Sequence, residues 1–255
     1  MAHSIPVLLN TFAHRCFRDT ADRDYVAARL AYRARLVPQF LWSSLHCLEK
    51  YAKCILLLNR VDGRGIKHEV TTAFDLLESE ASIAVPLSPD ASEFIQRLEV
   101  AGRFRYLEVS YVNEDFDIVR LDRAVWEVRR YCQTLDLNPY ARNGESYPSK
   151  AERLAQLVAS TQSHTKGYEI QGGWLEEVLA NRQHPARSAL VWNNLYAGSS
   201  RRKAVRLLPW WMGENAPLEL SPHIAEEVTK YVFIPKEIAA HWKSEAARRA
   251  AAGAA

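Results

Sequence analysis

An arginine and a histidine presented on one surface can cleave RNA without a metal. Neutral imidazole takes the proton of a 2′-hydroxyl while guanidinium stabilises the charge that builds on the phosphate. Arg64 and His68 are residues of those types, with three residues between them. They project together only where the chain from Gly65 onward is already helical, and Gly63 and Gly65 make this stretch a loop. The plainer expectation is that His68 packs or caps at a helix start while Arg64 is a solvated loop residue.

A second group suits single-stranded nucleic acid. Between Arg187 and Trp211, the rings of Trp192, Tyr196, Trp210 and Trp211 interleave with Arg187, Arg201, Arg202, Lys203 and Arg206. Cations neutralise phosphates and flat rings stack on unpaired bases. The competing expectation puts Trp192 and Tyr196 on the core face of one helix and leaves Arg201 to Lys203 as a solvated turn. Residues 150–255 carry a balance of +4 and residues 1–149 one of −1 within a net +3. Dedicated nucleic-acid modules are usually more basic.

Other chemistry is weaker. Glu237 with His241, and His223 with Glu227, are spaced to share helix faces, but no inward Glu-x-x-His pair anchors a carboxylate-histidine metal site. No Walker-type or dinucleotide glycine loop and no Gly-x-Ser-x-Gly elbow occurs, and Gln171-Gly172-Gly173-Trp174 reads as a turn into a helix. The four cysteines lack CxxC spacing. Cys47 and Cys54 fall on one helix, about 10 Å apart in rise, too far to pair. They read as buried thiols in a reducing compartment. No metal or cofactor is expected.

These groups must be held by helices, because apolar periodicity is helical almost throughout. Ile118, Leu121, Val125, Val128, Cys132 and Leu135 recur at steps of three and four. A helix from Pro38 to about Asn59 carries Leu41, Leu45, Leu48, Ala52 and Ile55 on one face, with Tyr51, Cys54 and Leu58 beside it, a face wide enough for a central position. Its narrow polar stripe holds His46, Glu49, Lys50 and Lys53, and Glu49 and Lys53 are spaced for an ion pair. The plainer expectation is that this stripe is an ordinary solvated or partly buried salt-bridge face, structural rather than chemical. An Arg-rich helix precedes it over 22–36, and shorter ones begin near Lys67 and Ser92. The stretch 106–112 fits a strand or a distorted helix end. After the boundary at Asn138-Pro139 and Asn143-Gly144, helices are predicted near 150–163, 173–181, 186–197, 222–231 and 235–249, with inner faces at Leu154, Leu157 and Val158 and at Ile224, Val228 and Val232, and with a fraying end after Ala246.

With 255 residues, 48% apolar and only 10 Gly and 11 Pro, the chain can bury a core. Its longest apolar run is five residues, Cys54 to Leu58, so no membrane span is expected. Ile5 to Leu9 lacks a preceding basic residue and fails as a secretory signal, which predicts a cytoplasmic location.

Leu48-Glu49-Lys50-Tyr51-Ala52-Lys53 in a long apolar helix, a glycine-containing loop, Lys67-His68 opening a short helix, and Arg105-Tyr106 after the next together resemble a HEPN-type helical domain, over roughly residues 20–136. The C-terminal half is outside the resemblance. The family implies four or five helices, frequent dimerisation through the bundle and, in many members, metal-independent RNA cleavage by an Arg followed a few residues later by His. Arg64 is closer to His68 than that pattern requires, Arg60 is farther, and Arg182 and His184 are closer still. The departure favours the non-cleaving branch, whose members bind, dimerise or regulate.

The sequence thus predicts an all-α protein: an up-and-down, HEPN-like helical bundle over 1–142 and a smaller, basic, aromatic-containing helical region over 143–255, its core shared or separate. The expected function is a non-enzymatic homodimeric module that binds single-stranded RNA or a partner protein, within a bacterial stress or defence system as the resemblance implies. The alternatives are a metal-independent endoribonuclease and a purely structural dimerising adaptor.

Overall fold

Helix α1, Ile5–Phe12, takes Pro6 in its first turn and continues through a π-helical stretch, Ala13–Arg18, into α2, Asp19–Arg33. The computed structural model describes residues 4–66, 68–80, 82–102, 108–114, 116–137, 146–160, 170–197 and 212–253. Helix α3, Val37–Leu58, starts on Pro38. Both α2 and α3 stop in the same way. Arg35 and Arg60 adopt φ of 58° and 59°, and the next N–H reaches back, Leu36 to the Ala31 carbonyl and Val61 to the Leu56 carbonyl, each at 2.9 Å. A left-handed residue closing the last carbonyls ends a helix firmly even without glycine.

Helix α3 occupies the centre, as its wide apolar face requires. Leu41, Leu48, Tyr51, Ala52, Cys54 and Ile55 are fully buried. Around it pack α2, α4 (Val70–Ser79), α5 (Pro89–Gly102) and α6 (Asp117–Arg129). Gly102 lets α5 approach closely: a Cβ there would lie 3.1 Å from the Leu45 side chain and 3.2 Å from the Leu41 carbonyl oxygen. The apolar stripe from Ile118 is realised only in part as helix. Helix α6 ends at Arg129, and tightened bonds from the N–H groups of Tyr131 and Cys132 to Val128 and Arg129 turn the chain. Cys132 and Leu135 still reach the core from these turns.

Strand β1, Tyr111–Asn113, precedes α6 and takes in only the last two residues of the 106–112 stretch, whose residues 106 and 107 lie outside the described residues. Beyond α6 lie α7 (Lys150–Ser160), α8 (Trp174–Ala180), α9 (Arg187–Val191) and strand β2 (Met212–Glu214). The two strands pair antiparallel with Tyr111 opposite Glu214, and they form the one sheet among the described residues. The chain closes with α10 (Pro217–Leu220), a 3-10 turn at Pro222–Ile224, α11 (Ala225–Val228) and α12 (Lys236–Gly253).

The main core runs on past residue 143 and includes Leu157, Leu175, Val178, Ala189 and Leu190. Buried cations of the bundle bind this later chain. Arg18 donates to the Gly172 carbonyl at 3.0 Å, and Arg29 donates to the carbonyls of Ala189, at 2.9 Å, and Trp192. Arg129 donates to Glu176 at 2.7 Å. A second, small core comprises Ala216, Leu218, Ala225, Ile238 and Trp242.

Four expectations need correction. The helix near 186–197 stops at Val191, since Arg29 takes the Trp192 carbonyl and the Asn194 side chain accepts from the N–H groups of Tyr196 and Ala197. Trp192 and Tyr196 therefore do not share a helix face. The helix near 222–231 is split, and Ile224 and Val232 face outward. Val158 is exposed while Leu157 alone of that turn is buried. Helix α12 continues to Gly253, past the predicted end near 249.

Candidate functional site

The polar stripe of α3 gathers most of the chemistry the N-terminal half presents. Lys53 donates to Glu49 Oε1 at 2.5 Å, the expected pair one turn apart. Lys50 crosses to Asp24 of α2, also at 2.5 Å, so the stripe does link neighbouring helices. After α3 the chain turns back along its surface, and this return sets His68 Nδ1 3.1 Å from the same Glu49 oxygen. With Nδ1–H donating to the carboxylate, a neutral imidazole keeps its lone pair on Nε2. The His68 side chain is 80% exposed.

Arg64 stands apart from this cluster. Its Nε lies 2.9 Å from Asp62 Oδ1 and its Nη2 2.5 Å from Oδ2, and its own backbone N–H also donates to Oδ1, at 3.0 Å. The side-chain bonds from Arg64, and then its backbone bond, hold the Asp62 carboxyl down at about 2. The Arg64 side chain is 90% exposed. Among the described residues no hydrogen bond or ion pair joins Arg64 to His68. The loop thus presents an exposed imidazole set against a carboxylate, with Arg64 engaged separately by Asp62.

The residues expected at a nucleic-acid surface divide into two groups. Arg187 is turned inward, its Nε donating to the Leu179 carbonyl at 3.1 Å. Trp192 is half-buried against the core, with the Arg33 guanidinium 5.3 Å from its ring centre. Tyr196 stacks on Trp126 at 5.1 Å. Arg201, Arg202, Lys203 and Arg206, with Trp210 and Trp211, lie outside the described residues.

A cavity of about 280 Å³ opens beside β1 and α12, lined by Ser110, Glu219, His241, Glu245 and Arg249 among others. Its acids are already engaged. Ser110 donates to Glu219, and Arg248 and Arg249 pair with Glu245 at 2.8 and 2.7 Å, holding its carboxyl at about 2. Among the described residues no group of three or more His, Cys, Asp and Glu side chains is placed to hold a metal ion, and no helix is long and apolar enough to cross a membrane.

Sequence reasoning missed the outward-facing apolar residues between α11 and α12. Tyr231 is 79% exposed, Val232 55% and Phe233 85%, and Leu220 nearby in sequence is 72% exposed. The signal was present as a run of four apolar residues, Tyr231 to Ile234, directly before Pro235. Assigning Val232 to a helix's inner face concealed it.

No family model matches the chain, and neither does any curated protein or solved structure.

Proposed function

We propose that the chain is a non-enzymatic helical module that self-associates through the surface around Tyr231–Phe233 and, in that form, binds its target. The observation that carries this reading is the exposure of Tyr231, Val232 and Phe233, three consecutive large apolar side chains after α11. Clustered large apolar side chains in water mark an interaction surface. Around them both signs of charge alternate: Lys230 pairs with Glu227 at 2.5 Å and Lys243 with Glu226 at 2.8 Å. Charges of both signs beside an apolar stretch repel a second copy less than a rim of one sign would, which suits pairing about a two-fold axis. That local neutrality also disfavours a phosphate backbone there. The HEPN resemblance points the same way, because dimerisation is frequent in that family.

Light scattering across a concentration series tests the reading. The wild-type mass is expected to rise toward that of a dimer, and Tyr231→Ser/Phe233→Ser to remain monomeric with unchanged helical circular dichroism. A wild-type protein that stays monomeric up to its solubility limit would remove the self-association. Salt-sensitive binding of single-stranded RNA, lost in Arg201→Ala/Arg202→Ala, would identify nucleic acid as the target.

The Glu49–His68 contact favours a second reading, a metal-independent endoribonuclease. A carboxylate that fixes Nδ1 leaves Nε2 to accept a hydroxyl proton, and Arg64 is close in sequence to supply positive charge. That reading requires RNA cleavage in chelator, abolished in both His68→Ala and Arg64→Ala. Cleavage unaffected by either change would discard it.

A further inference from the structure

The cavity beside β1 and α12 is lined by side chains of both charges. Glu219 enters it from α10. Ser110 donates to Glu219 Oε2, and the Ala216 N–H donates to the Ser110 oxygen at 3.0 Å, so a neutral group orients this carboxylate and leaves its charge in place. Among the described residues no cation pairs with Glu219, and its Oε1 has no hydrogen-bond partner. Glu245 and Arg249 enter from α12. Arg248 grips both oxygens of Glu245, Nε on Oε2 and Nη2 on Oε1, each at 2.8 Å, and by itself balances that charge. Arg249 adds a second guanidinium to the same carboxylate through Nε alone, at 2.7 Å. Its two Nη groups have no partner among the described residues. The cavity therefore carries an unbalanced negative charge from α10 and an unbalanced positive one from α12. Val109 and the buried Trp242 supply its apolar lining, and the Trp242 ring is held by its Nε1–H donating to the Glu108 carbonyl at 2.9 Å.

We propose that this cavity binds a small zwitterion, a free α-amino acid with an apolar side chain. The ligand ammonium donates to Glu219 Oε1. The ligand carboxylate accepts from the Nη groups of Arg249, whose planar fork suits a carboxylate. The ligand side chain covers Val109 and Trp242, removing apolar surface from water. A ligand of one charge satisfies only half of the site: a polyamine sets its second cation against Arg249, and a phosphate ester sets its anion against Glu219. At about 280 Å³ the cavity falls just under the roughly 300 Å³ at which drug-sized pockets begin, which matches a single amino acid of the size of leucine.

The test titrates the isotope-labelled full chain with L-leucine and follows the Trp242 indole N–H signal by NMR, the signal being assigned by its loss in Trp242→Phe. It is expected to shift and to saturate with a Kd on the order of 1 mM, as two charge-assisted contacts in an open site allow. Leucinamide, which lacks the carboxylate, and N-acetyl-leucine, which lacks the ammonium, should each bind at least about tenfold more weakly. Glu219→Gln and Arg249→Gln should weaken leucine binding by a similar factor with unchanged helical circular dichroism. The comparison of leucine with its two analogues uses the wild-type protein, so it decides the matter even where a variant fails to fold. No shift up to the solubility limit of leucine, equal affinity for leucine and both analogues, or unchanged binding in both variants would each overturn the proposal.

Discussion

Arg129 of α6 grips Asp22 of α2 at two points inside the bundle, Nε to Oδ1 at 2.7 Å and Nη2 to Oδ2 at 2.8 Å. Two turns away the roles are exchanged, and Arg29 of α2 pairs with Asp122 of α6. Each helix carries an Asp followed seven residues later by an Arg. Because the helices run in opposite directions, each acid faces the other helix's base. Tyr51 donates to Asp22 Oδ1 and Tyr25 to Asp122 Oδ1, both at 2.6 Å, so each of these oxygens accepts from a phenol as well as from a guanidinium.

Removing one partner of such a pair leaves a charge in the core with nothing to neutralise it. Arg129→Met is expected to lower stability by about 3–5 kcal/mol, measured by urea unfolding. Replacing both partners, in Asp22→Leu/Arg129→Met, should recover part of that loss, since no lone carboxylate remains on α2. A single variant within about 0.5 kcal/mol of wild type would mean the pair contributes nothing to the closed bundle.

Acid should weaken the fold in a defined window. Burial, reinforced by Arg18, lowers the His14 pKa to about 4 from 6.5, and Nε2 is buried without a hydrogen-bond partner. The unfolded chain therefore takes up this proton at a higher pH than the folded one. The contribution is fully present above pH 6.5 and is lost as pH falls toward 4. Asp117 acts in the opposite sense. Burial raises its carboxyl from 3.8 to about 6, so its contribution is present below 3.8 and is lost as pH rises through 6. His14→Phe should flatten the acid-side loss, and Asp117→Asn should steepen it, in thermal unfolding between pH 4 and 6.5. Identical slopes for wild type and His14→Phe would place the acid sensitivity elsewhere.

The contact of α5 with α3 should tolerate no side chain at position 102. Gly102→Ala sets a methyl against Leu45 and the Leu41 carbonyl oxygen, and the backbone atom cannot rotate aside. A loss of about 1–3 kcal/mol is expected from calorimetric unfolding. An unchanged Tm would show that the two helices part at little cost.

The parts of this fold that sequence could predict are those set by one element at a time. The buried face of α3 and the Glu49–Lys53 pair follow from helical spacing alone. Reciprocal pairing of Asp22, Arg29, Asp122 and Arg129 depends on which faces meet, and no single helix records that. His68 reaches Glu49 because the chain doubles back along α3, a return that the loop's glycines permit without specifying. Trp192 was misplaced because Arg29, far upstream, takes its carbonyl and stops the helix. Val232 was misread because Ile238 and Trp242 of α12, rather than the 231–233 stretch, complete the small core with Ala225.

Self-association through Tyr231–Phe233 is the central claim, and amide hydrogen exchange followed over a range of protein concentrations tests it most directly. If the surface pairs two copies, protection of the amides from Thr229 to Ile234 rises with concentration while that of α3 stays constant. Exchange in this stretch that does not vary with concentration would contradict the account.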